Sequence, residues 1–264
     1  MDNNKNIEYS LETIKKVMTK TNLQKFISKY SLNGEVTAVK WNLSTKDNQI
    51  SLSAITNDKS LVYDVNWKNV EGLSSDYEIG VYDTDKLQKM LKALGEEITM
   101  TVNQNEGRVT SLSFSDGTSE IQFMTAELTV IPKSSRLKGQ PAYNFEIDLT
   151  KDFIAKYRSA KDALSDESKF TLLMNKKSKK VQLVIGYASI NSNRVTLDVP
   201  IKSGTAKLEK SLNFNADFLK SVLDANNECE NAVLKVSESG LATVQFSTDT
   251  FDATYHFGPV QASE

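Results

Sequence analysis

Three stretches of the chain repeat one pattern of apolar and polar positions. The first runs YEIGVYDTDKLQKMLKAL, then ITMTV, RVTSLSFS and SEIQFMTAE. The second runs YNFEIDLTKDFIAKYRSAKDAL, then KFTLLMN, KVQLVIGYA and RVTLDVP. The third runs KSLNFNADFLKSVLDAN, then AVLKVSE, LATVQFST and FDATYHF. Strict alternation marks strands, and a three-to-four spacing marks helices. Each stretch therefore predicts a short strand, one helix and three further strands. The helical stripes are Leu87, Met90, Leu91 and Leu94; then Phe153, Tyr157, Ala160 and Leu164; then Phe218, Leu219, Val222 and Leu223. Thr84, Thr150 and Asn215 are the predicted N-caps, with Asp85, Asp152 and Asp217 in the first turns where the helix dipole favours an acid.

The N-terminal quarter reads as a looser fourth copy. Leu11, Ile14, Val17 and Met18 predict one helical stripe, and Leu23, Phe26, Ile27 and Tyr30 predict another out of phase with it. VTAVKWNL, QISLSAIT and LVYDVNW follow as three strands. One helix for about four strands differs from the βαβα order of a doubly wound sheet. The fold class expected is α+β: two similar domains of antiparallel sheets with helices on one face, built from four strand–helix–strand repeats.

Proline marks the borders, because it interrupts helices and sheet ladders. Pro132 and Pro141 bracket IPKSSRLKGQP, the best linker in the sequence; Pro200 precedes a turn-rich break at Lys202–Thr205, and Pro259 ends the last strand pattern. The expected division is domain 1 at 1–130, a connector at 131–142 and domain 2 at 143–264.

Composition narrows the chemistry. A chain of 264 residues with 39% hydrophobic and 25% charged positions suits a globular protein with a real core. One cysteine, Cys229, excludes an intrachain disulfide framework, and one histidine, His256, excludes multi-histidine metal sites. No G-x-S-x-G elbow accompanies His256 and no P-loop is present, so no catalytic residue, metal site or cofactor is expected. The polar start MDNNKNIEYS lacks a secretory core, and no apolar run reaches membrane-spanning length. A cytoplasmic chain with no membrane partner is expected.

Charge is segregated by element. The helical segments 10–30, 84–94, 151–164 and 216–226 together carry +7, whereas the whole chain carries −2, leaving −9 on the rest. Candidate phosphate-facing cations are Lys15, Lys16, Lys20, Lys86, Lys89, Lys92, Lys151, Arg158, Lys161 and Lys220. Lys86, Lys89 and Lys92 recur every third residue opposite the Leu/Met stripe. Such rows suit phosphate contacts that read no sequence. A solvated helix face shows the same pattern, and both readings stand at this point.

The repeated plan resembles the trimeric DNA sliding clamps, the proliferating cell nuclear antigens and the tailed-phage clamps. VYDTDKLQKMLKAL, SEIQFMTAEL, SLNFNADFLKSVLDAN and the ending GLATVQFSTDTFDATYHFGPV carry the resemblance. The short basic connector, with Lys133, Arg136 and Lys138, is similar to phage members. The resemblance implies a clamp fold whose three copies form a ring around duplex DNA. It also implies a DNA polymerase as partner, an ATP-dependent clamp loader, and the cytoplasm of an infected bacterium if the chain is phage-encoded. It places a partner-peptide groove at Leu128, Val130, Ile131, Leu137, Phe257, Gly258 and Pro259, although those residues could equally pin the connector to the sheet. It places head-to-tail contacts at Ile121, Phe123 and Met124 against Val181, Leu183 and Ile185, although ordinary core would use the same positions. The competing function is a non-enzymatic β-rich binding module or structural virion protein that self-associates through sheet edges without DNA.

Overall fold

A computed structural model describes residues 11–134, 137, 139, 141–175, 177–178, 180–187, 192–205, 208–229, 232–237 and 239–260, with side chains from Met18 onward. In chain order the elements are β1 (Leu11–Thr19), α1 (Lys20–Ser31), β2 (Val39–Ser44), β3 (Gln49–Ile55), β4 (Leu61–Trp67), β5 (Tyr77–Val81), α2 (Thr84–Leu91), β6 (Glu97–Asn105), β7 (Arg108–Ser115) and β8 (Glu120–Met124). They continue with β9 (Phe145–Leu149), α3 (Lys151–Ala163), β10 (Lys169–Met174), β11 (Val181–Ile185), β12 (Val195–Asp198), β13 (Ile201–Gly204), β14 (Leu212–Asn215), α4 (Ala216–Ala225), β15 (Ala232–Val236), β16 (Ala242–Ser247) and β17 (Phe251–Phe257). Among the described residues the order strand, helix, three strands occurs four times, with β13 inserted between the third and fourth copies.

Two local readings are corrected. The segment from Leu11 to Thr19 is a strand, not a helix, and it pairs antiparallel with β6. Its register shifts between Ile14 and Met18. A bulge breaks the two-residue alternation, so apolar residues three or four apart imitate a helical stripe. Ile201–Gly204 is likewise an edge strand on β9 rather than a turn-rich break. Exposed lysine and glycine are tolerated there because an edge strand has only one side to pair.

The chain divides into two compact units. The first takes residues up to Leu52 and Asn66–Lys133. One of its sheets has the order β1-β6-β7-β8, and β2 pairs with β3 on one side and β5 on the other, all antiparallel. Gly80 forms a single bridge with Ala126; a Cβ there would lie 2.4 Å from the Ala126 carbonyl oxygen, so the approach requires glycine. Phe26 and Tyr30 of α1 turn edge-on to each other and to Trp41, with Phe26–Trp41 ring centroids 5.5 Å apart, and Trp67 closes the cluster.

The second unit takes Ser53–Val65 and Ser134–Glu264. One sheet has the order β12-β11-β10-β14, and the other runs β13-β9-β15-β16-β17-β4. In β4 and β17 every second residue is buried, the signature of a sheet packed on one face. Tyr157 of α3 sits in this core against Phe170, and its hydroxyl donates to Ala216 O at 2.9 Å, tying α3 to the start of α4.

Candidate nucleic-acid interface

The helices present the candidate cations, and their caps fix where each helix begins. Thr19 caps α1 by accepting from Asn22 N at 3.2 Å, Thr150 caps α3, and Asn215 caps α4. The cap of α2 is Asp83, one residue earlier than expected, in the left-handed region with φ 60° and its carboxylate accepting from Lys86 N at 3.1 Å. Thr84 is instead buried and donates to Thr37 O at 2.9 Å.

Lys86, Lys89 and Lys92 are exposed and make no ion pair among the described residues. Leu87 and Leu91 bury the opposite face of α2. Lys92 caps the helix with helical backbone angles, so the row keeps helical spacing, about 9 Å along the axis from Lys86 to Lys92. The attachment of α1 to the end of α2 leaves this row alone. Lys20 Nζ donates to Leu94 O at 2.5 Å, Lys20 N to Glu96 O at 2.7 Å, and Thr21 N to the Glu96 carboxylate at 3.1 Å. Hydrogen bonds from Thr21 and the charge of Lys20 hold Glu96 below its usual carboxylate range. Of the other α1 lysines, Lys25 is half-exposed and Lys29 is buried. The side chains of Lys15 and Lys16 lie outside the described residues.

The second unit uses its cations differently. Arg158 Nε lies 2.7 Å from Asp224 Oδ1, out of line for a hydrogen bond, while Nη2 donates to Leu223 O at 2.8 Å. Lys220 Nζ lies 3.3 Å from Asp224 Oδ2 and 3.5 Å from Asp162 Oδ1. Burial lowers the Lys220 pKa, but Asp224 and Asp162 outweigh it and hold the ammonium above its ordinary value. Lys161 is 3% exposed, with Nζ 2.8 Å from Asp217 Oδ1 and donating to Ser165 O at 2.9 Å. The expectation that Lys161 faces outward is therefore corrected: it bridges α3 to α4 from the inside. Lys156 pairs with Asp152 at 2.7 Å, and Lys151 is exposed with its own partner.

The expected contact strands separate into edge and core. β8 ends its sheet, and there Met124 is 65% exposed whereas Phe123 is buried and Ile121 half-buried. Val181, Leu183 and Ile185 are corrected to core: β11 lies between β10 and β12, and all three side chains are buried. The edges of that sheet are β12 and β14, of which β14 accepts a hydrogen bond from Val260 N at Asn213 O, and the alternation of a single strand cannot reveal which strands lie at an edge. Tyr82, 61% exposed just before α2, is a surface aromatic the sequence reading passed over.

The expected peptide-groove residues fall in both units. In the first, Leu128 lines a groove of about 440 Å³ with Tyr77, Gln104 and Arg108; Val130 is 66% exposed and Ile131 is buried. In the second, Phe257 is buried, Gly258 N donates to Ser60 O at 2.7 Å, and Pro259 is exposed. Leu137, with Gly139 and Pro141, lines a groove of about 440 Å³ against Asp64, Lys235 and His256. Tyr143 OH donates to Thr243 Oγ1 at 2.7 Å, and Thr243 Oγ1 is 2.8 Å from His256 Nδ1. The threonine hydroxyl, already an acceptor, can then donate to a neutral imidazole.

Burial holds the His256 pKa below its ordinary 6.5, with Asp64 opposing. Between the lowered folded value and 6.5 the unfolded chain binds more protons, so stability should rise with pH up to about 6.5 and level above it. Urea unfolding across pH 5 to 7 should show that slope, and His256→Gln should remove the histidine share of it.

No family model and no curated protein sequence matches the chain. Solved structures do. The crystal structure of proliferating cellular nuclear antigen from Entamoeba histolytica superposes with a TM-score of 0.68 at 12% identity, over 93% of this chain and 97% of that one. The structure of the C-terminal region of FEN-1 bound to A. fulgidus PCNA gives a TM-score of 0.69 at 14% identity, over 94% of this chain and 98% of that one. The match spans both units and all four repeats. The fold of this chain is the sliding-clamp fold.

Proposed function

We propose that the chain is a DNA sliding clamp, a scaffold without chemistry of its own that closes as a homotrimeric ring around duplex DNA. The single observation that carries this reading is the unpaired row Lys86, Lys89 and Lys92 on a helix of a clamp fold. A free lysine row binds phosphates without sequence preference, and loose contacts of that kind permit sliding. The edges that β8 and β12 leave without a strand partner among the described residues support head-to-tail closure, because two different edges that pair between neighbouring subunits are all satisfied when the rotation closes. In the ring, the DNA polymerase and other replication proteins dock short tails on exposed apolar residues, with Leu128 and Val130 as the candidates in the first unit and Leu137 in the second. The PCNA structure with the C-terminal region of FEN-1 bound favours that mode of docking. An ATP-dependent loader opens the ring.

Topological retention tests the reading. Loaded on nicked circular duplex with its loader, the protein should stay bound through gel filtration and leave when the circle is linearised. Sedimentation should give a particle of about 88 kDa, three times 29.4 kDa. Equal retention on circular and linear DNA would overturn encirclement, and retention on neither would favour the module that self-associates through sheet edges without DNA.

A further inference from the structure

The two units commit their helical cations to different tasks. Through Lys92, α1 and α2 carry six lysines against one aspartate, whereas α3 and α4 carry five cations against four aspartates. In the first unit Lys20 and the backbone donors of Lys20 and Thr21 join α1 to Leu94 and Glu96 in the turn after α2, and the α2 row takes no part in that contact. The second pair is joined by the cations themselves. Arg158 reaches across to Asp224 and to the Leu223 carbonyl of α4, Lys220 sits between Asp224 and Asp162, and Lys161 reaches Asp217. A cation held by a carboxylate has little net charge to offer a phosphate, and releasing it would leave the carboxylate facing the polyanion.

We propose that each chain grips the DNA backbone through its first unit: Lys86, Lys89 and Lys92 take the phosphates. Asp162, Asp217 and Asp224 keep Arg158, Lys161 and Lys220 as interhelix fasteners, and Asp152 pairs with Lys156 on α3 itself, which leaves that helix face with little phosphate grip. The proposal rests on the duplex-binding reading above and adds to it which half of the subunit does the binding. The consequence for sliding is physical. A ring that contacts phosphates through one helix of each subunit has few counterions to displace at each step, and its affinity depends on a short list of lysines.

Affinity for a labelled duplex, measured against salt on the full chain at fixed oligomeric state, separates the possibilities. Each phosphate contact should cost about 3.5-fold in affinity between about 50 and 200 mM salt, so the three contacts of each engaged subunit should contribute about 40-fold. Lys86→Gln/Lys89→Gln/Lys92→Gln should flatten most of that dependence. Lys151→Gln/Lys156→Gln/Lys220→Gln, which removes as many charges, should leave it unchanged. Asp162→Asn/Asp224→Asn should steepen it by freeing Arg158 and Lys220; if thermal unfolding shows that this pair disrupts the fold, Asp162→Asn alone should steepen it by a smaller amount. Equal flattening by the two lysine variants, or flattening by the second alone, overturns the asymmetry while duplex binding stands. An aspartate variant no steeper than wild type overturns the fastening role. A wild-type chain with no salt dependence overturns the duplex-binding reading itself.

Discussion

Trp41→Ala should destabilise the first unit by about 3–5 kcal/mol, the usual cost of deleting a large buried aromatic. Trp41 is fully buried on β2, and its alternate neighbours Val39 and Leu43 are buried with it. Its ring meets Phe26 at 5.5 Å and Tyr30 at 6.3 Å, both nearly perpendicular, so the loss includes edge-to-face contacts as well as area. Burial also pushes the Tyr30 phenol well above its ordinary pKa, with Thr84 and Trp41 as its polar neighbours, so a cavity here would open the environment of a group that the fold keeps neutral. At about 2–4 °C per kcal/mol for a protein of this size, the unfolding midpoint should fall by about 10 °C. Trp41→Phe keeps an aromatic ring in place and should cost roughly half as much or less. A midpoint for Trp41→Ala within a degree or two of wild type would show that this cluster is not the centre of the first unit.

Much of this core was legible from spacing. Leu23, Phe26, Ile27 and Tyr30 stand three and four apart and are buried along α1; Leu87 and Leu91 do the same for α2, and Phe218, Leu219, Val222 and Leu223 for α4. Repetition made these stripes more informative than any one of them alone, since four copies of strand, helix and three strands leave few architectures. The failures have physical causes. At β1 the bulge between Ile14 and Met18 put a helical period on a strand. At β11 the alternation identified a buried strand, but a strand's place at the edge or interior of a sheet is set by partners distant in sequence. The same limit applies to the cations. Lys86 and Arg158 look alike on a helical wheel, and only the fold brings Asp224, 66 positions away, to 2.7 Å from the guanidinium. Local pattern reports which face of a helix is polar; it does not report whether a charge on that face is already spoken for.

If the proposed ring closes through β8, Met124→Glu should weaken its assembly by about 2–5 kcal/mol per interface, the range for placing a charge where a contact would desolvate it without a partner. That corresponds to roughly 30-fold to more than 1,000-fold in the association constant. The expectation follows from geometry. Among the described residues β8 is hydrogen-bonded to β7 alone as a strand, and Met124 is a large flexible apolar side chain presented to solvent at its end. An exposed apolar residue on an open strand edge is unfavourable in a lone subunit unless another strand covers it. Because Met124 makes so little use of its own unit, the glutamate should change the stability of the monomer by no more than about 0.5 kcal/mol. Phe123→Ala provides the contrast: that side chain is buried, so its loss should lower the unfolding midpoint and affect assembly only through the fold. Sedimentation equilibrium together with thermal unfolding distinguishes the two variants. If Met124→Glu assembles as wild type does, the ring is not closed through the end of β8 and a different edge must carry the contact.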